Sequence, residues 1–273
     1  MVLSFGSPAH LLSLILGLLP TLILYMAFRG AKRHTKRAVV FFVAILNLFQ
    51  HLFKPLVWPH MRGASFGLEN TAYNVCALLI IVTPFVILFD RELLLEFTAC
   101  VGSAAGALTL LLPYWFFGKT PFSWEFLRAW TCHAMLACSS ALLLFFGLVR
   151  FRFRHCFRFG FLFTAMLAFV LVNDALVLAV TEGGAGLYDR LLALNPLWTM
   201  GPTERYPRLR VLFESCSPAF LLESASHGYA PVLWYAFPFY ILITIIAFFI
   251  GAFLDRDNFL GHLPKIKVKD PLG

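Results

Sequence analysis

The stretch Asn70-Thr71-Ala72-Tyr73-Asn74-Val75-Cys76, running on through Ala77-Leu-Leu-Ile-Ile-Val-Thr-Pro84-Phe-Val-Ile-Leu-Phe89 to Asp90, decides the fold. No charge occurs between Asn70 and Phe89, and the run ends abruptly at Asp90-Arg91. At 1.5 Å per residue such a segment is long enough for the roughly 30 Å of hydrocarbon in a bilayer. Its start is odd, with two asparagines and one cysteine ahead of an almost purely aliphatic run. Asparagine is costly in hydrocarbon unless it meets a partner or water. The stretch therefore reads as a membrane helix with a polar end, and Cys76 is either a small apolar residue or a working atom.

The rest of the chain agrees with a membrane setting. It has 273 residues, 60% hydrophobic and only 13% charged, with a mean hydropathy of +0.80. A soluble domain carries about 25% charged residues. The class is all-α, a polytopic membrane protein. Phe, with 31 copies, suits lipid-facing surfaces. The net charge of +8 and the pI of 9.4 belong to loops that flank membrane segments and set topology. No basic face stands on a soluble module, so nucleic acid is excluded as a partner. The six cysteines, Cys76, Cys100, Cys132, Cys138, Cys156 and Cys216, are scattered rather than framed for disulfides. Cys132 and His133 point about 100° apart on a helix and cannot easily chelate one ion. No metal and no cofactor is expected.

Seven apolar segments, 8–28, 38–58, 70–89, 93–117, 126–149, 160–180 and 231–254, form one integral membrane domain over 1–273, with a polar loop at 181–230. Positive charges follow the first segment, which makes it a retained helix and not a cleaved signal. With the N-terminus outside, fourteen of the 22 Lys and Arg lie inside: Arg29, Lys32, Arg33, Lys36, Arg37, Arg91, Arg150, Arg152, Arg154, Arg158, Arg256, Lys265, Lys267 and Lys269. A seven-transmembrane-helix bundle with the N-terminus outside and the C-terminus cytoplasmic follows. Gly102-Ser-Ala-Ala-Gly106 is a small-xxx-small pattern that permits close helix packing.

Counting along these helices brings polar side chains to one depth. Cys76 lies six residues in, about 9 Å, and His133 reaches a similar level. His51 and Lys54 arrive there from the second helix, and Asn173 and Asp174 from the sixth. The opposite halves of the helices are nearly all aliphatic or aromatic. A thiol, imidazoles, a carboxylate, an ammonium and amides in one layer are the parts of a nucleophilic site: thiol, base, and a group that orients the base. Lys54 or Arg128 at the interface either snorkels or holds an anionic group.

The order of short motifs resembles the YwaF-like integral membrane family, which includes animal transmembrane protein 164. The features are a cysteine early in helix three, a helix end at Leu111-Leu112-Pro113, the run Pro121-Phe122-Ser123-Trp124-Glu125-Phe126, and His133-Ala-Met-Leu136. Phe53-Lys54 fits as well, and Asn195-Pro196, Gly228 and Trp234-Tyr235 fit more loosely, so the resemblance covers about 45–240. It implies a lipid acyltransferase in which Cys76, the nucleophile, carries an acyl thioester and His133 is the base. One departure is that the neighbours of Cys76 are Val75 and Ala77, where relatives often have a polar residue or Pro. If that neighbour assists the chemistry, Asn74 takes its part.

The function expected is transfer of an acyl chain between phospholipids, for example to a lyso or ether phospholipid, or hydrolysis if water is the acceptor. Asn173 or Asp174 would orient His133, and Lys54 or Arg128 would hold the lipid phosphate. The partners are the membrane and a phospholipid or lysophospholipid, and the location is a plasma or endoplasmic reticulum membrane. The alternative is a polytopic transporter or lipid-binding membrane protein with a buried polar site and no covalent chemistry. A seven-helix receptor or scaffold is the third reading, and it leaves the polar layer unexplained.

Overall fold

The computed structural model describes residues 3–64, 67–113, 117, 118, 120, 123–152, 155–195, 199–201, 207–222 and 229–254. Its ordered elements are helices: α1 (Pro8–Phe28), α2 (Arg33–Leu52), α3 (Lys54–Val57), α4 (Val75–Phe89), α5 (Glu92–Phe97), α6 (Ser103–Leu111), α7 (Trp124–Phe145), α8 (Cys156–Glu182), α9 (Leu187–Leu194), α10 (Pro207–Cys216), α11 (Ala219–Leu222) and α12 (Leu233–Leu254). Among the described residues six stretches are long and apolar enough to cross a membrane: Pro8–Phe28, Leu68–Phe89, Glu92–Leu111, Trp124–Phe145, Cys156–Glu182 and Leu233–Ile250. Their outward faces carry unpaired apolar side chains such as Ile15, Leu22, Phe85, Phe161, Leu176 and Phe249. α1 buries little of its apolar surface, and the exposed remainder suits the hydrocarbon of a bilayer. The protein is an all-helical integral membrane protein with several passes.

Several boundaries differ from the sequence expectation, each for a local reason. The segment expected at 38–58 begins earlier, at Arg33, and its helix stops at Leu52. Pro55 has no N–H to give and its ring clashes with the carbonyl four residues back. The chain breaks at Phe53 and resumes as the single turn α3, which starts on Lys54. The segment expected at 70–89 becomes helical only at Val75. Asn70 is a turn residue: its Oδ1 accepts from Gly67 N–H at 3.2 Å and its Nδ2 donates to the Leu52 carbonyl at 3.1 Å. Asn74 caps α4, its Oδ1 accepting from Ala77 N–H at 2.8 Å. The asparagines therefore build the turn and the cap that start the helix. Asp90 closes it in the left-handed conformation.

The segment 93–117 is one helix from Glu92 to Leu111 with a π-helical turn at Thr98–Gly102. The segment 126–149 runs Trp124–Phe145, and 160–180 extends to Cys156–Glu182. Part of the polar loop 181–230 is helical, as α9, α10 and α11. Pro121, Phe122, Pro196, Gly228, Arg154, Arg256 and the lysines at 265, 267 and 269 lie outside the described residues.

Two kinds of contact hold the helices together. The first is close backbone approach. A Cβ on Gly106 would stand 2.8 Å from the His133 carbonyl oxygen and 2.7 Å from Ala137 N, so α6 and α7 meet there with nothing between them. Gly160 of α8 lies equally tight against Tyr240 and Thr244 of α12. The second is interhelical hydrogen bonding. Asn47 donates to the Cys132 carbonyl at 3.0 Å, Trp130 to that of Ser13 at 2.9 Å, and Tyr240 to that of Phe157 at 2.8 Å. In a bilayer, where apolar burial between helices is worth little, such bonds are the specific glue, each about 1 kcal/mol.

Several basic residues gather at one end of the bundle. Arg37 pairs with Asp90 at 2.8 Å, Arg33 donates to the Leu148 carbonyl, and Arg152 pairs with Glu92 at 2.5 Å. Buried beside them, Glu96 accepts from Arg152 N–H and meets His155 Nδ1 at 3.0 Å. The candidate site lies at the opposite end.

Candidate functional site

Three parts of the chain supply the site. The end of α2 and the turn α3 bring His51 and Lys54. The capped start of α4 brings Tyr73, Asn74, Cys76, Ala77 and Ile80. One face of α7 brings Arg128, Ala129, Cys132 and His133. Together they line an open cleft of about 390 Å³. The α7 residues fall in two i, i+4 pairs, Arg128 with Cys132 and Ala129 with His133, which puts all four on one stripe.

Cys76 is the second residue of α4, in its first turn. The first amides of a helix have no intrahelical partner. Ala77 N–H goes to Asn74 and Leu78 N–H to the Asn74 carbonyl, so the first helical bond skips the amides of Val75 and Cys76. The positive end of the helix thus stands at Cys76. The half-buried thiol lies beside the Thr109 hydroxyl of α6. Thr109 Oγ1–H itself donates to the Ala105 carbonyl at 2.9 Å.

His133 sits one helical turn above Ala129, whose carbonyl lies 2.6 Å from Nδ1. A carbonyl only accepts, so Nδ1 carries the proton and Nε2 of the neutral ring holds the lone pair. This backbone bond, rather than Asn173 or Asp174, orients the imidazole. His133 also borders a second, smaller cleft of about 270 Å³ with Ser13, Thr109, Phe126 and Trp130. Cys76 and His133 share the larger cleft, and Thr109 stands beside the thiol.

His51 Nε2 donates to the Thr71 carbonyl at 2.9 Å, and its ring stacks parallel to Tyr73. Asn173 and Asp174 reach the same level but do not line the cleft. Asn173 Nδ2 bridges Thr71 Oγ1 at 2.9 Å and Asp174 Oδ1 at 3.0 Å, so the pair buttresses the Thr71 turn behind His51. Asp174 is fully buried. Lys54 is 1% exposed, its Nζ lies 5.3 Å from the Tyr73 ring centre, and it has no hydrogen-bond partner among the described residues. Arg128 pairs with the exposed Glu69 at 3.4 Å. Among the described residues no three His, Cys, Asp or Glu side chains converge as metal ligands.

Four residues of the site escaped the sequence reading. Tyr73 stood inside the opening stretch, and its ring beside a lysine and a histidine had no linear signal. Cys132 was weighed only as a metal ligand, although its spacing from Arg128 puts it on the same stripe. Thr109 comes from a segment that only the fold brings near, and Glu69 directly precedes the opening stretch, where only the fold shows that it meets Arg128.

A model of the TMEM164 family matches residues 5–180, well over half of the chain. The matched span begins earlier than the expected 45 and ends before Asn195 and Trp234-Tyr235, yet it holds every residue that lines the cleft. No curated protein and no solved structure matches the chain. The chain is a multi-pass integral membrane protein and belongs to the TMEM164 family.

Proposed function

We propose that the protein is a cysteine-dependent lipid acyltransferase that moves an acyl chain between phospholipids. One observation carries the reading: a cysteine at a helix N-terminus and a histidine with a free Nε2 lone pair line the same cleft. In the first half-reaction Cys76 Sγ attacks the ester carbonyl of a bound phospholipid, and its proton passes to His133 Nε2. The amides of Val75 and Cys76 face the negative charge that develops on the carbonyl oxygen. The intermediate collapses, the C–O bond breaks, and His133 returns the proton to the departing lysolipid alkoxide. Cys76 now holds the acyl group as a thioester. In the second half a lysophospholipid hydroxyl gives its proton to His133 and attacks the thioester, and the thiol recovers its proton as the new ester forms. Water in place of the hydroxyl yields a fatty acid.

The cleft suits this substrate because it opens at the end of the bundle, where the ester region of a bilayer lipid lies. The orientation that fits is seven membrane helices, the cleft end outside and the basic end in the cytoplasm. The seventh helix is α2. It turns Asn47, Gln50 and His51 inward and leaves Phe42, Ile45, Leu46 and Phe49 exposed, an amphipathic pattern that lowers its mean hydropathy without removing its lipid-facing stripe.

The test is transfer. The purified protein, given a phospholipid with a labelled acyl chain and an unlabelled lysophospholipid, yields labelled diacyl product, and Cys76→Ala yields none. Equal product from Cys76→Ala ends the proposal. Uptake of a solute into proteoliposomes that survives Cys76→Ser and is lost in Asp174→Asn supports the transporter reading instead.

A further inference from the structure

Lys54 presents a problem that the acyl-transfer scheme leaves unsolved. Its ammonium is 1% exposed, borders the cleft, and has no hydrogen-bond partner among the described residues. It lies over the face of Tyr73, 5.3 Å from the ring centre. A buried ammonium with three unmet donors is costly unless an anion joins it. A second cation, Arg128, lines the same cleft, and its Nε also lacks a partner. The carboxylate that faces Arg128, Glu69, is more than half exposed and stands at a long 3.4 Å. His51 and His133, the other basic groups of the cleft, are turned to backbone carbonyls. The cleft thus holds two fixed positive charges against one weakly held negative charge at its rim.

We infer that Lys54 and Arg128 form a binding site for a phosphate anion, with Glu69 as the group the phosphate displaces from Arg128. A phosphodiester supplies acceptor oxygens for the ammonium and for the guanidinium edge at once. Because this site and Cys76 share one cleft, a glycerophospholipid would place its phosphate on Lys54 and an ester at Cys76. The inference rests on the proposed lipid reading only for that last step. It selects phospholipids over uncharged glycerides as substrates.

The experiment is calorimetric titration of the full chain in phospholipid-free detergent with glycerophosphocholine, inorganic phosphate and glycerol. Glycerophosphocholine or phosphate should bind and weaken as salt is raised, and glycerol should not bind. Lys54→Met should lower the affinity at least tenfold and Lys54→Arg by less than about threefold. Lys54→Met should also melt no lower than wild type in the absence of ligand, since it removes an unpaired buried charge. Preference for glycerophosphocholine identifies a lipid headgroup as the source, and preference for phosphate identifies the free ion. Unchanged affinity in a folded Lys54→Met, equal binding of glycerol, or no binding of either phosphate compound overturns the site. Cys76→Ala should bind like wild type, so loss of the acyl-transfer reading leaves this result intact, and the reverse holds too.

Discussion

At the scale of single residues, the cleft contains two imidazoles whose free nitrogens differ. His133 gives its Nδ1 proton to its own helix and keeps Nε2 for chemistry, whereas His51 gives its Nε2 proton to Thr71 and belongs to the Thr71–Asn173–Asp174 buttress. The roles separate accordingly. His133→Ala should slow acyl transfer by about 10²–10⁴-fold, the usual worth of a general base. His51→Ala should act on folding, lowering the melting temperature while costing less than tenfold in the rate of the folded fraction. Rates and melting curves on both variants check this, and the reverse ranking would move the base to His51. Counting residues along apolar runs was enough to bring Cys76, His133, His51 and Lys54 to one level. It could not separate Asn173 and Asp174 from them, because depth along a helix says nothing about which way a side chain faces. The capping role of Asn74 was hidden for a related reason, since a helix that starts at Val75 and one that starts at Asn70 have the same hydropathy.

At the scale of elements, the site depends on how tightly α6 and α7 meet. Gly106 packs directly on the turn of α7 that carries His133, two residues before the helix reaches Leu108 and three before Thr109, the neighbour of the Cys76 thiol. Gly106→Ala drives a methyl group into backbone atoms, which cannot swing aside as a side-chain tip would. The substitution should cost about 1–3 kcal/mol by overpacking and should reduce acyl transfer further than the loss of folded protein explains. Gly30→Ala, with nothing within 4 Å of the added methyl, is the matched control and should be neutral. Thermal unfolding in detergent read beside activity tests both. The glycine pattern was visible in the sequence as helix packing. Its closeness to His133 was not, since the register between two helices is a tertiary property. The break after Leu52 was legible in principle from Pro55, but hydropathy smooths over a single proline.

The polar loop has its own conditional contact. In it Glu214 accepts from Tyr229 Oη at 2.6 Å and from Arg210 at 3.0 Å. The Tyr229 hydrogen bond, ahead of Arg210, holds the Glu214 carboxyl below its ordinary value. A depressed carboxyl stabilises the folded loop above the ordinary Glu range, near pH 4.3, and that contribution is lost as the pH falls through the lower folded value. Limited proteolysis of 207–230 should therefore accelerate below about pH 4 in the wild type, and Glu214→Gln should show the fast rate without that pH step. A step that persists in Glu214→Gln would assign it to another group.

At the scale of the whole molecule, opposite ends of the bundle carry opposite business: paired cations and carboxylates at one, the cleft at the other. The proposed orientation places Cys216 outside. It is exposed, so an impermeant thiol reagent should label it in sealed right-side-out vesicles. Cys156, expected inside, is fully buried and would stay unlabelled from either side. Arg91→Cys, at the exposed turn between α4 and α5, is the informative inner probe and should react only after the membrane is opened. Labelling of Arg91→Cys in sealed vesicles would invert the topology. Fold class and multi-pass character were written in composition and run length. The count of spans was harder, because α2 hides a lipid-facing stripe behind inward polar residues.

The central claim is that Cys76 carries an acyl group. The direct measurement is mass spectrometry of the peptide containing Cys76 after the purified protein meets a phospholipid without an acceptor. The account predicts a mass increase of one acyl chain on Cys76, removed by neutral hydroxylamine and absent from Cys76→Ala. An unmodified Cys76 in protein that nonetheless transfers acyl chains, or a hydroxylamine-sensitive adduct that persists in Cys76→Ala, would contradict it.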